Sequence, residues 1–368
     1  MREPNEIDFW RGFALVTIFI NHIPGNFFER FTYRNLSLSD SAELFVFLAG
    51  WALRLQTIRT KLPMPGLVVR LAARAVQVYC AQLVITEMAV ALLAGASIYF
   101  DAAFLLDWHN ASAIFHDPVE AHIGLVLLTH QLGYFNILPL YVVLVACAPF
   151  VALCARYARL LLLPLSAGLY VLTLSTGINL GTWPVEGTWF LNPMAWQFIF
   201  ILGFSLAGKD GIGGLARRHR KALMLVALPI VGLGMLVALT HFSPRPADMP
   251  SPKLFFVFDK TFLSPARLIH FLAVVAVFSG SFPFVMRWFA VGGRFFSMLG
   301  RNSLIVFCVA SLLSLAGQIA RFAYGGALLT DAMIAGAGLA FMGIIAWLSE
   351  RRDGWRHGAA DMRASPSS

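Results

Sequence analysis

Residues 7–25 read IDFWRGFALVTIFINHIPG, a mostly apolar run with Asp8 and Arg11 near one end and Asn21 and His22 near the other. A helix needs roughly 20 predominantly apolar residues, at about 1.5 Å each, to cross a lipid bilayer, and this run is of that length. It follows a short charged start and has no small-residue cleavage site, so it reads as a retained helix rather than a signal peptide. Nine further apolar runs follow, giving expected spans at 8–25, 40–56, 70–96, 137–155, 160–178, 194–207, 222–240, 267–285, 301–320 and 328–349. Of the 368 residues 58% are apolar and 13% charged, more apolar surface than a water-soluble globule can hide. The expected fold is therefore all-α: a polytopic transmembrane bundle of about ten spans. It forms a single domain over 1–350, followed by a polar cytoplasmic tail, 351–368, expected to be disordered at its end.

A net charge of +9 would suit a nucleic-acid ligand, but the basic residues lie in short clusters between apolar runs rather than along one polar face. They report topology. With the N-terminus inside, 21 of the 28 lysines and arginines fall in cytoplasmic segments. Most acidic residues, including Asp101, Asp107, Asp117, Glu120 and Glu186, fall on the other side. Ten spans then place both termini in the cytoplasm. Three external segments are long, 28–39, 97–136 and 241–265, the last proline-rich and expected to be extended. Cys80, Cys147, Cys154 and Cys308 lie in apolar segments without CxxC spacing, which argues for packing residues over disulfides or a zinc site.

Arg11 and His22 are eleven residues apart on one helix. At 100° per residue they differ by about 20° in direction and by about 16 Å along the axis, so both side chains leave the same face. Ionisable groups at membrane depth usually face a bundle interior or a wet cavity, which makes this face a candidate site. The competing reading keeps Arg11 as a cytoplasmic anchor and His22 as an interfacial residue. The second span opens with Asp40 and Glu43 in the run 39–50, SDSAELFVFLAG, on the side where His22 also lies. Three apart, they share a helical face; either can orient an imidazole, or Ser39 or Asp40 caps the helix while Glu43 sits in its first turn beside the dipole.

Glu87, near the middle of the third span with Gln82 and Thr86 close by, must be neutral, paired or hydrated, and serves either a site or a structural hydrogen bond. In 189–197, WFLNPMAWQ, the residues Asn192, Trp196 and Gln197 open a helix on the external side, suited to sugar contacts or to an aromatic belt. Arg301, Asn302 and Ser303 open the ninth span on the cytoplasmic side, where they can hold an anionic donor or cap the helix. His109, His116, His122 and His130 cluster in one external segment, yet Pro118 interrupts any helix joining His116 to His122 and no H-E-x-x-H pattern occurs, so no metal is expected.

The runs 7–25 and 39–50, with 136–149 (NILPLYVVLVACAP), 192–197 and 299–307 (LGRNSLIVF), together resemble the OpgC family, membrane proteins linked to succinylation of osmoregulated periplasmic glucans. That family is similar to the wider acyltransferase-three superfamily, whose first helix carries an arginine and a histidine separated by ten residues, a pattern Arg11 and His22 match. The resemblance implies a bacterial inner-membrane O-acyltransferase. It would move an acyl group, succinyl for example, from a cytosolic acyl-CoA, a substrate rather than a bound cofactor, to a hydroxyl of a periplasmic saccharide. His22 would act as general base, Asp40 or Glu43 would hold its ring, and Arg11 would bind the donor phosphates. A transporter or flippase for an amphiphile and a non-catalytic scaffold for glucan synthesis are the rival classes; the first usually shows inverted repeats, and no clear repeat is present.

Overall fold

The computed structural model describes residues 3–60 and 62–364. Among them there is no strand, and sixteen α-helices account for most of the chain. In order these are α1 (Glu6–Asn21), α2 (Ser41–Arg59), α3 (Met64–Tyr99), α4 (Ser112–His116), α5 (Pro118–Val126), α6 (Ile137–Ala146), α7 (Ala148–Tyr157) and α8 (Arg159–Thr176). They are followed by α9 (Pro193–Leu206), α10 (Ile212–Arg218), α11 (Arg220–Leu239), α12 (Pro265–Phe278), α13 (Phe282–Trp288), α14 (Ala290–Arg301), α15 (Ser303–Tyr324) and α16 (Leu328–Ala364).

Every expected span falls on helix, but 137–155 and 267–285 each fall on two helices with a bend between them. Five helices, α3, α8, α11, α15 and α16, are long and apolar enough to cross a membrane, or up to seven if α6 with α7 and α12 with α13 each form one broken span. Helices α1 and α9, of 16 and 14 residues, are shorter, and α2 is more charged. The surface agrees with a lipid solvent: of the 20 residues of α11 only Ala227 and Gly234 are buried, so leucine, valine and methionine cover its outside. The helix α16 runs through Ala364, well into the expected tail and over 361–364 of the stretch 361–368 expected to be disordered, a correction; 365–368 lie outside the described residues.

The helices group into two compact units. One comprises 3–29 and 279–364 and holds α1 and α13–α16. Its first helix is capped by Asn5, whose side chain accepts the Asp8 N–H at 3.0 Å, and Glu6 and Asp8 sit favourably in its first turn. Helix α1 packs along α14. The approach depends on glycine: a Cβ at Gly12 would fall on the Phe296 carbonyl, and one at Gly300 on the Asp8 carbonyl. Phe9 and Phe13 meet Phe296 edge-on around this crossing. A short amphipathic helix, α14, was not expected; the break at Asn302 separates it from α15.

The second unit, 30–278, holds α2–α12. Here α2 and α9 cross by the same device, a Cβ at Gly50 colliding with the Phe200 carbonyl and one at Gly203 with that of Phe47. Helix α3 has 36 residues, about 54 Å, and so exceeds the roughly 30 Å hydrocarbon core. The segment expected as a long loop, 97–136, is instead folded, with a 3-10 helix (Ala103–Asn110), α4 and α5. The reason is apolar burial: Leu105, Ile114, Leu125 and Leu132 are inside. In 241–265 only two single 3-10 turns form, at Pro246–Asp248 and Lys253–Phe255. All four cysteines are free, but Cys80 and Cys147 are exposed rather than packed, a correction to the expectation.

Candidate functional site

Helix α1 presents Arg11, Leu15, Ile18 and His22 along one stripe, since steps of four, three and four residues return to the same face. The two ionisable side chains are half-buried, while the apolar pair between them is inside, at 0% and 7% exposure for Leu15 and Ile18. Arg11 lies 4.0 Å from Asp8, one turn back. His22 is the C-cap of α1, its N–H donating to the Ile18 carbonyl at 2.9 Å.

A helix end leaves carbonyls without intrahelical partners, and α15 supplies donors for them. Ser314 Oγ donates to the Phe19 carbonyl at 3.0 Å, Gln318 Nε2 to the His22 carbonyl at 2.6 Å, and Arg321 NH2 to the Gly25 carbonyl at 2.8 Å. The donors recur at four- and three-residue steps on α15, and the acceptors at three-residue steps beyond and along α1. Arg321 in turn pairs with buried Asp331 of α16, whose other oxygen accepts the Phe27 N–H at 2.7 Å. The backbone around His22 is thereby tied at four points.

In the same unit, Arg301 Nε donates to Glu350 Oε1 at 2.6 Å, while Arg301 NH1 and Glu350 Oε2 are buried with no hydrogen-bond partner. Asn302 closes α14, its Nδ2 donating to the Met298 carbonyl at 3.0 Å, and Ser303 begins α15. The capping expected at these positions thus falls at the end of α14.

In the other unit, Asp40 and Glu43 form a capping box at the start of α2. Asp40 Oδ1 accepts the Ala42 N–H at 2.8 Å and Glu43 Oε2 accepts the Asp40 N–H at 3.0 Å. Each carboxylate also has a cation. Lys260 Nζ reaches Asp40 Oδ2 at 2.5 Å, and Arg267 donates to Glu43 Oε1 from Nε at 2.8 Å and NH2 at 2.5 Å, with Asp40 3.5 Å away. One turn beyond Arg267, His270 Nδ1 shares a 3.0 Å hydrogen bond with Ser39, which also meets Tyr33 at 2.5 Å. Burial pushes the Tyr33 phenol well above its usual range, so it stays protonated. Glu43 and Ser39 are fully buried.

Asn192, Trp196 and Gln197 find their partners inside the protein. Asn192 caps α9 through the Met194 N–H and donates to the Ile178 carbonyl; Gln197 bonds Ser166 twice; and Trp196 Nε1 donates to the carbonyls of Lys260 and Thr261 at 3.1 and 3.2 Å. The Trp196 bonds, with the Asn192 N–H donating to the Thr261 carbonyl at 3.0 Å, fix the segment that carries Lys260. Glu87 faces outward from α3, 55% exposed, with His122 of α5 at 4.0 Å. His116 and His122 each bond a carbonyl of their own segment, and burial pushes the pKa of His130 down.

Ser39, a cap candidate in the sequence, instead bonds His270 and Tyr33; the residues missed in the sequence, Lys260, Arg267, His270, Gln318, Arg321 and Asp331, had a signal in part. Lys260, Arg267 and Arg321 are three of the seven cations that fall on the external side in the charge count. In the structure each neutralises a carboxylate.

The family model described as OpgC protein matches residues 2–354. No curated protein and no solved structure matches the chain.

Proposed function

Since the chain belongs to the OpgC family, we propose that it is a membrane O-acyltransferase that carries an acyl group, succinyl in the family's case, from acyl-CoA to a saccharide hydroxyl. The family is linked to glucan succinylation, and the several apolar helices make the chain a membrane protein. In our reading it has about ten spans in a bacterial inner membrane, with both termini cytoplasmic and the acceptor, a periplasmic glucan or related saccharide, on the far side.

The observation that carries the reading is the α1 stripe: a half-buried imidazole at a helix end whose backbone is held by α15, on the face that bears Arg11. In the proposed reaction His22 takes the proton of an acceptor hydroxyl while that oxygen attacks the thioester carbonyl. The carbon–sulfur bond then breaks, and the leaving thiolate takes the proton from the imidazolium, so no external acid or base is consumed. Arg11 would hold donor phosphates. Its present contact with Asp8 is a 4.0 Å neighbour pair on one helix, weak enough to exchange. Arg301, with one donor nitrogen unused, is the second candidate for the donor, supported by Asn302 and Ser303 at the same turn. The pantetheine arm would run over Leu15 and Ile18, which must be uncovered for it to pass.

Asp40 and Glu43, the carboxylates expected to orient the His22 ring, are each engaged by a cation of their own unit; Asp40 is held the more loosely, because Lys260 retains 31% side-chain exposure whereas Glu43 is sealed against Arg267. Of Asn192, Trp196 and Gln197, expected on the acceptor, Trp196 enters the proposal as the residue that holds the backbone at Lys260 and Thr261, Asn192 and Gln197 as residues that hold its helix, and Glu87 as an outward group outside the reaction.

The rival reading is a transporter, which the break between α6 and α7, bent by 40°, would suit. Mass analysis of glucans from cells carrying wild type, His22→Ala or Arg11→Ala at matched membrane levels separates them. Acyl substitution should vanish with either variant. Saccharide movement into vesicles by purified protein, without acyl transfer, would favour transport.

A further inference from the structure

Four consecutive or near-consecutive cations, Arg217, Arg218, Arg220 and Lys221, lie where α10 meets α11. Arg217, Arg218, His219, Arg220, Lys221 and Met224 line an open groove of about 660 Å³. A basic cluster beside a span is ordinarily a topology marker, and the charge count read it as one. The structure adds three observations.

The cations are displayed from a folded ledge rather than a loose loop. A Cβ at Gly213 would fall on the carbonyls of Leu206 and Gly208, so α10 sits tightly on the end of α9. Arg217 holds the same two carbonyls, from NH1 to Leu206 at 3.2 Å and from NH2 to Gly208. The groove also runs without interruption into an apolar surface, for Leu223, Met224, Leu225 and Val226 of α11 are all exposed. Helix α11 is long and apolar enough to span, which puts its first turn at a membrane surface. Finally, the lining includes no phenylalanine, tyrosine or tryptophan to stack on a base and no side-chain amide to read one.

We propose that this groove is a binding site for an anionic phospholipid, its phosphate among Arg218, Arg220 and Lys221 and its acyl chains along α11. Charge complementarity selects the anionic headgroup, the apolar continuation selects a lipid over a soluble phosphate ester, and the ledge keeps the cations together.

The test uses the full chain, purified in detergent, with native mass spectrometry of phosphatidylglycerol and phosphatidylcholine binding. The triple variant R218Q/R220Q/K221Q leaves Arg217 and the ledge intact. At about fivefold per cation, it should bind phosphatidylglycerol about 100-fold more weakly, and Lys221→Gln alone about fivefold more weakly. Phosphatidylcholine binding should not change, and R70Q/R74Q/R156Q, which removes as many cations elsewhere, should bind as wild type. Equal weakening in that control would show general attraction and overturn the site. So would unchanged binding by the triple variant, or displacement of phosphatidylglycerol by an equal concentration of coenzyme A, which would mark a nucleotide site.

Discussion

Replacing Arg267 by methionine would leave Glu43 as a carboxylate with no cation within bonding distance in a fully buried position. Asp40 would remain beside it as a like charge, joined to it through the capping box. Two charge-assisted hydrogen bonds, at 2.8 and 2.5 Å, would be lost together. Removing one partner of a buried pair costs about 3–5 kcal/mol, most of it the penalty of the charge left behind rather than the worth of the contact. The double variant Arg267→Met/Glu43→Gln removes that stranded charge and should recover more than half of the loss. Asp40→Asn should cost about 1 kcal/mol, since Lys260 can turn to solvent and Arg267 keeps Glu43. Denaturant unfolding of purified protein in mixed micelles, followed by tryptophan fluorescence, measures wild type, Arg267→Met, Glu43→Gln and the double variant in one double-mutant cycle, with Asp40→Asn beside it. An Arg267→Met variant as stable as wild type, or a double variant no better than the single, would refute the argument.

The glycine crossings predict a sharp contrast. Gly203→Ala puts a methyl group on the Phe47 carbonyl and should abolish folded yield, whereas Gly95→Ala, with open space around it, should be neutral or stabilising by up to about 1 kcal/mol; size-exclusion profiles of the solubilised variants compare them. Gln318→Leu removes the donor to the His22 carbonyl and should lower kcat by up to about 100-fold with KM little changed, while Gln318→Glu, which cannot donate there, should not rescue it. Burial lowers the pKa of His130, so the unfolded chain binds its proton more readily. Its contribution is therefore present above about pH 6.5 and lost as the pH falls below that, and His130→Gln should flatten stability over that acid range.

The positions of the helices were legible because a span is a local property: about 20 apolar residues announce themselves wherever their partners are. The cap at Asp40 and Glu43 was legible for the same reason, its partners lying two and three residues away. What escaped was pairing at long range. Nothing in 39–50 points to Arg267, 224 residues further on, or to His270; and nothing near His22 points to Gln318. A cation on the side where the charge rule expects few was the available clue, and Lys260, Arg267 and Arg321 each carried it. The loop 97–136 was misread because short apolar stretches broken by Pro118 and Asp117 lack the length that marks a helix in sequence, yet bury Leu105 and Leu125 once folded together.

The central claim is that His22 removes a proton during acyl transfer, and single-turnover transfer of an isotopically labelled succinyl group from its CoA thioester to glucan by purified protein tests it most directly. His22→Gln, at wild-type folded yield and donor affinity, should transfer about 100- to 10,000-fold more slowly. Transfer at the wild-type rate by that variant would contradict the account.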